Sequence, residues 1–153
     1  MSVTQAMRFL DAKKIPYEIR EYDFRVKGAE YAAEALGWPP ESMIKTLVAG
    51  LDKRFVLSLM PAGRELSLKK LARVAGGKNA RMSTVEEAEK QTGYLVGGIS
   101  PFGVRKAMEV WMEESLTGFE KAGINGGRRG CIIFLSPKDI RESLGAKTAD
   151  LTA

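Results

Sequence analysis

Histidine is absent from this 153-residue chain, and cysteine occurs once, at Cys131. Without an imidazole, the usual Ser-His-Asp and Cys-His nucleophilic systems lose their base. One cysteine and no histidine leave no credible zinc site and no intrachain disulfide. No run approaches the roughly 20 apolar residues of a membrane span. The opening MSVTQAMRFL lacks the basic-then-apolar order of a signal peptide. No Gly-Lys-Ser/Thr follows a suitably spaced glycine, which excludes a Walker-type phosphate loop. The expectation is a cytoplasmic protein with no metal, no cofactor and neither membrane nor DNA as a partner. Any catalysis must then rest on Lys, Asp/Glu, Tyr, Ser/Thr, backbone N–H groups or the substrate itself.

What is present is ordinary for a folded domain, at 44% hydrophobic and 28% charged residues. The length fits one domain, residues 1–153, with a real core. A formal charge of +5 favours a polyanionic partner. The basic residues fall in small clusters, such as Lys13-Lys14, Lys69-Lys70 and Arg105-Lys106. Arg128-Arg129 differ from the rest because they lie within Gly126-Gly127-Arg-Arg-Gly130, where glycine allows the backbone to approach a phosphate.

Helix and strand signals alternate along the chain. Helices are expected over residues 4–13, 28–36, 68–75, 83–92 and 136–145. Ser67 is placed as a cap, Ser83-Thr-Val-Glu-Glu as a capping box, and Gly37, Gly76 and Gly145 as stops. Strands are expected at residues 17–22, 44–49, 55–60, 109–112, 118–122 and 131–135, with Asp52-Lys53 as a hairpin turn. Hairpins mixed with helices indicate an α+β fold, with a mixed sheet rather than a doubly wound parallel one.

Residues 92–103, TGYLVGGISPFG, pack four glycines and a proline among Leu95, Val96, Ile99 and Phe102. A flexible linker would lack the apolar residues. The segment suits either a tight turn between strands or an ordered loop offering N–H groups to an oxyanion or a ribose.

Four blocks in order, IKTLV from Ile44, PAGRELSLKKL from Pro61, the segment 92–103 and GGRRG from Gly126, resemble the YbaK/EbsC family. That family is related to the editing domain inserted in bacterial prolyl-tRNA synthetases. Within it the chain looks most like freestanding proteins that hydrolyse Cys-tRNA(Pro). The resemblance implies a compact α+β domain, its mixed sheet partly closed into a barrel and surrounded by helices. It implies aminoacyl-tRNA as the substrate, with prolyl-tRNA synthetase as a possible partner. Lys45, followed by Thr46, matches a lysine that holds the tRNA 3′ end. Gly97, Gly98, Ile99, Ser100, Pro101 and Phe102 match the loop that contacts the terminal adenosine and the ester. Tyr22 matches a pocket tyrosine, and Asn125, Arg128 and Arg129 fall in the last block. The same resemblance marks two departures, Asn125 where relatives often have Ser and Ile132 where they often have Asp. The second bears on whether cysteine or another small residue such as alanine is preferred, or whether turnover has given way to acceptor-end binding.

The chemistry is compatible with the missing histidine. An aminoacyl ester is already activated, and a cysteinyl thiol can attack its own carbonyl. The protein then supplies position, pocket size and an oxyanion hole, with backbone N–H groups at Gly97 and Gly98 as the expected donors. Cys131 sits in an apolar strand and is expected in the core. Glu113 and Glu114 are expected to be solvated or structural.

Overall fold

The chain threads five helices through eight strands in a computed structural model that describes residues 2–153. In order these are α1 (Gln5–Ala12), β1 (Glu18–Glu21), α2 (Ala29–Leu36), β2 (Met43–Leu51), β3 (Arg54–Pro61), α3 (Leu68–Val74), β4 (Ala80–Met82) and α4 (Val85–Thr92). Then come β5 (Glu109–Glu113), β6 (Ala122–Asn125), β7 (Cys131–Leu135), α5 (Pro137–Leu144) and β8 (Lys147–Ala149). The helices begin where short polar side chains satisfy free N–H groups. Thr4, Ser67, Thr84 and Ser136 each accept from the backbone three residues on, and Thr84 with Glu87 forms a complete capping box.

All eight strands belong to one mixed sheet, in the order β1-β7-β6-β2-β3-β5-β8, with β4 also on β2. β2 and β3 form the expected hairpin, with Leu51 opposite Arg54 across Asp52-Lys53. The free edge of β2 is shared between two partners. β6 runs parallel to it at Met43 and Ile44, and β4 runs antiparallel from Ala49 to Leu51. Between these contacts, residues 45–48 have no strand beside them on that edge.

The main core lies on one face of the sheet, where α1 contributes Met7 and Leu10, α4 Ala88 and α5 Ile140. A second cluster under α2 joins Ala32 and Ala33 to Met43, Ile132 and Phe134. A third gathers Leu71, Met60, Trp111 and Leu151 around α3.

The structure corrects the expected elements in three places. Residues 118–122 do not form a strand. A 3-10 turn, Glu114–Gly118, precedes β6, which begins at Ala122, where the chain first buries small apolar side chains. Strands β4 and β8 carry no strand signal in the sequence, because each has three residues, largely exposed, with no apolar alternation. The sheet is open, ending at β1 and β8, so the expected partial barrel does not form. Among the described residues, no helix is long and apolar enough to cross a membrane.

Candidate active site

A cleft of about 400 Å³ opens along the uncovered stretch of β2. That volume lies in the range of small-molecule sites. Lys45 and Thr46 enter from β2, Asn125 from the end of β6, Ile132 from β7, Tyr22 from just beyond β1, and Gly97 and Ile99 from the loop after α4. The cleft crosses the plane of the sheet. Ile44 and Val48, which alternate with Thr46, pack in the main core, whereas Ile132 and Ala32 belong to the α2 side.

Lys27 and Lys45 both line the cleft, and no carboxylate lines it. Neither lysine is in a salt bridge among the described residues. Both lysines also border an adjoining hollow that Glu30 and Glu34 line, and on the cleft side, where no carboxylate stands, their ammonium groups favour an anionic ligand. The Thr46 hydroxyl is buried there without a hydrogen-bond partner. Such a group costs about 1–3 kcal/mol unless something bound to the site satisfies it. Burial raises the Tyr22 phenol above its ordinary value, so at neutral pH it is a proton donor.

The remaining sequence candidates build the walls rather than line the space. Gly98 is buried, and its N–H already donates to the Leu95 carbonyl at 2.8 Å, so it is not available to an oxyanion. Ser100, Pro101 and Phe102 are buried and do not line the cleft. The Ser100 hydroxyl accepts from the Phe102 N–H at 3.3 Å, and the Phe102 ring lies 5.8 Å from that of Phe9. Arg129 donates from Nε and Nη2 to the Val96 carbonyl at 3.0 and 2.9 Å, over the ring of Phe24. Arg128 donates to the Ser2 carbonyl at 2.6 Å. Arg129 therefore braces the two glycine-rich loops, and Arg128 ties its loop to the N-terminal segment.

The loops meet closely because glycine lets them. A Cβ on Gly98 would lie 2.8 Å from backbone atoms of Arg128 and Arg129. Asn125 ties the same junction from the cleft side, donating from Nδ2 to the Gly97 carbonyl at 3.3 Å and accepting the Gly127 N–H at 2.7 Å. The Gly97 N–H has no acceptor among the described residues.

Sequence reasoning missed Lys27 and the β4–α4 lip, where Met82 and Val85 line the cleft although 43% and 54% exposed. Nothing local marks them, because their place depends on where β4 meets β2. Cys131 is buried in β7 with its thiol pushed up by desolvation, as expected of a core residue. Glu113 is structural, its two oxygens accepting the N–H groups of Ser115 and Leu151 at 2.8 and 3.0 Å.

The fold is that of an aminoacyl-tRNA editing domain. Residues 25–143 match the aminoacyl-tRNA editing domain, and the chain belongs to that family. It is 34% identical over 97% of its length to 93% of EbsC from Enterococcus faecalis, a protein provisionally named a Cys-tRNA(Pro)/Cys-tRNA(Cys) deacylase. A stretch of 79 residues, 52% of this chain and 14% of the other, is 37% identical to the proline–tRNA ligase of Thermotoga maritima. Among solved structures, one provisionally described as a trans-editing enzyme for prolyl tRNA synthetase superposes with a TM-score of 0.88 at 27% identity, over 97% of this chain and 95% of that one.

Proposed function

We propose that the chain is an aminoacyl-tRNA deacylase acting in trans on Cys-tRNA(Pro). The observation that carries this reading is the cleft itself, which brings Lys45, Thr46, Tyr22, Gly97 and Asn125 around one electropositive space with a buried, unpartnered hydroxyl. Family membership and the names of the relatives support the same substrate class. Lys45 and Lys27 hold the phosphates of the acceptor end. The Gly97 N–H faces the ester carbonyl. Ile132 and Ala32 on the α2 side and Ile44 on the main-core side are apolar walls that exclude bulk water from the aminoacyl group.

The cysteinyl sulfur attacks its own ester carbonyl. The S–C bond forms, the C–O bond to the ribose breaks, and the thiol proton passes to the departing 3′ oxygen. Water then opens the thiolactone to free cysteine. Position and charge stabilisation are all the protein adds, which suits a site with no histidine. Prolyl-tRNA synthetase is the partner we expect, and co-sedimentation of the two proteins with tRNA tests it.

The deciding experiment measures loss of cysteine and of alanine from charged proline tRNA at substoichiometric protein, with Lys45→Ala in parallel. The expected result is multiple turnover on the cysteinyl ester, reduced by about 100-fold in the variant, the scale for removing one charge-stabilising group. Turnover on alanine alone would move the substrate assignment to the alanyl ester. Binding without turnover on either ester would refute the deacylase and leave an acceptor-end binding module.

A further inference from the structure

The uncovered stretch of β2 has a polarity set by its register. Leu51 and Arg54 flank a two-residue turn, and Ala62 donates to the Met43 carbonyl, so the odd-numbered residues of β2 point their backbone groups at β3. The even-numbered residues point the other way. Ile44 faces β6, the Val48 carbonyl accepts the Ser83 N–H at 3.1 Å, and the Asp52 N–H donates to Asn79. Thr46 lies between them. Its N–H and its C=O have no partner among the described residues, and they open into the cleft between Asn125 and Ser83. The slot is one missing residue of an antiparallel strand.

We propose that the aminoacyl group fills this slot as a one-residue strand. The inference rests on the deacylase reading and assigns its substrate a pose. An α-aminoacyl ester carries an N–H donor and a carbonyl acceptor on one α-carbon, as a residue in a strand does. Opposite Thr46 it exchanges two hydrogen bonds, its amine donating to the Thr46 C=O and its ester carbonyl accepting the Thr46 N–H. The Thr46 N–H is then an oxyanion donor, filling the place that Gly98 cannot take because its N–H is engaged with Leu95.

The pose also orients the side chain. Residues directly opposite in an antiparallel pair project to the same face. An L-residue therefore places its side chain beside Thr46 Oγ1, between Ala88 and Ile99, where a cysteinyl thiol gives that buried hydroxyl a partner. A D-residue would direct the same side chain to the face of Lys45. The slot thus reads the α-amino acid unit and its handedness, and leaves the size of the side chain to Ala88 and Ile99.

The test replaces single peptide bonds by esters in the full-length chain. An ester between Lys45 and Thr46 removes the Thr46 N–H, and one between Leu47 and Val48 removes the Val48 N–H on the same edge. Each weakens one carbonyl facing β3, so the second controls for the sheet. The expected result on Cys-tRNA(Pro) is a kcat lower by 10²- to 10³-fold for the first, with KM little changed, and a kcat within about 3-fold of the unmodified chain for the second. Equal losses, or none, would overturn the docking and leave the deacylase reading intact. If the unmodified chain does not turn over, the deacylase reading falls. The docking is then judged by exchange of the Thr46 amide with a hydrolysis-resistant 3′-cysteinylamido-adenosine, where slowing supports it and no change overturns it.

Discussion

Replacing Gly98 by alanine separates packing from chemistry in the glycine-rich loop. The backbone at Gly98 lies outside the left-handed region, so alanine adds no conformational strain. What it adds is a Cβ at 2.8 Å from the Arg128 carbonyl carbon and the Arg129 nitrogen, and 2.9 Å from the Arg128 Cα. These are backbone atoms, in a loop fixed by the Arg129 bonds to Val96 and the Asn125 bond to Gly127. Relief requires the two loops to separate. Overpacking of this kind costs roughly 1–3 kcal/mol, offset by about 0.5 kcal/mol from the stiffer unfolded chain. A net loss of about 1.5 kcal/mol lowers Tm by roughly 3–6 °C in a domain of this size. Gly63→Ala is the control, since nothing lies within 4 Å of its Cβ. Calorimetry and deacylation should be read together. A Gly98→Ala chain that melts with the wild type yet loses turnover would refute the packing role and return Gly98 to the reacting atoms.

Tyr94→Phe removes the phenol that donates to the buried Phe102 carbonyl, and should cost about 1–3 kcal/mol in denaturant unfolding. Burial pushes that phenol up to about 12, so the protonated native form contributes stability fully below pH 10 and loses it as pH rises through about 12. The wild type should therefore lose about 3 kcal/mol more than Tyr94→Phe over that interval, and equal alkaline losses would show that Tyr94 is not the group involved. Glu113→Gln turns an amide NH2 toward one of two backbone N–H groups in a site only 2% exposed. We expect a loss of about 2–3 kcal/mol and faster hydrogen exchange at Leu151, and an unchanged Leu151 amide would contradict the anchoring.

Local signals carried the helices and the hairpin. Thr4, Ser67, Thr84 and Ser136 cap where the sequence places short polar residues before apolar periodicity, and Asp52-Lys53 turns between two strongly apolar strands. The position of β6 was not legible, because Gly118 and Phe119 resemble a strand start until Glu113 is seen holding the preceding turn. The candidate site was legible only in part. Lys45, Thr46, Tyr22, Gly97, Ile99 and Asn125 converge on the cleft. Arg128 and Arg129 do not, since an arginine bonded to a backbone carbonyl and one free for phosphate have the same sequence. The cleft lip at Met82 and Val85 depends on the pairing of β4 with β2, as of Met82 with Ala49, which no short window along the chain contains.

Gly98 and Arg129 therefore pack the walls one step back from the cleft. A strand edge left unpaired at Thr46 invites another strand, from the same chain or a second one. Two features keep it uncovered. β6 leaves β2 after Ile44, where Asn125 turns its side chain to the Gly97 and Gly127 backbone, and β4 joins only from Ala49. The first divergence needs the Gly126–Gly130 loop to pack on residues 96–98, which Gly98 permits and Arg129 fastens. On this account, loosening either loop lets β6 follow β2 further and close the slot. Arg129→Ala, remote from the ester, should then depress kcat while leaving the Lys45-dependent affinity for tRNA in place.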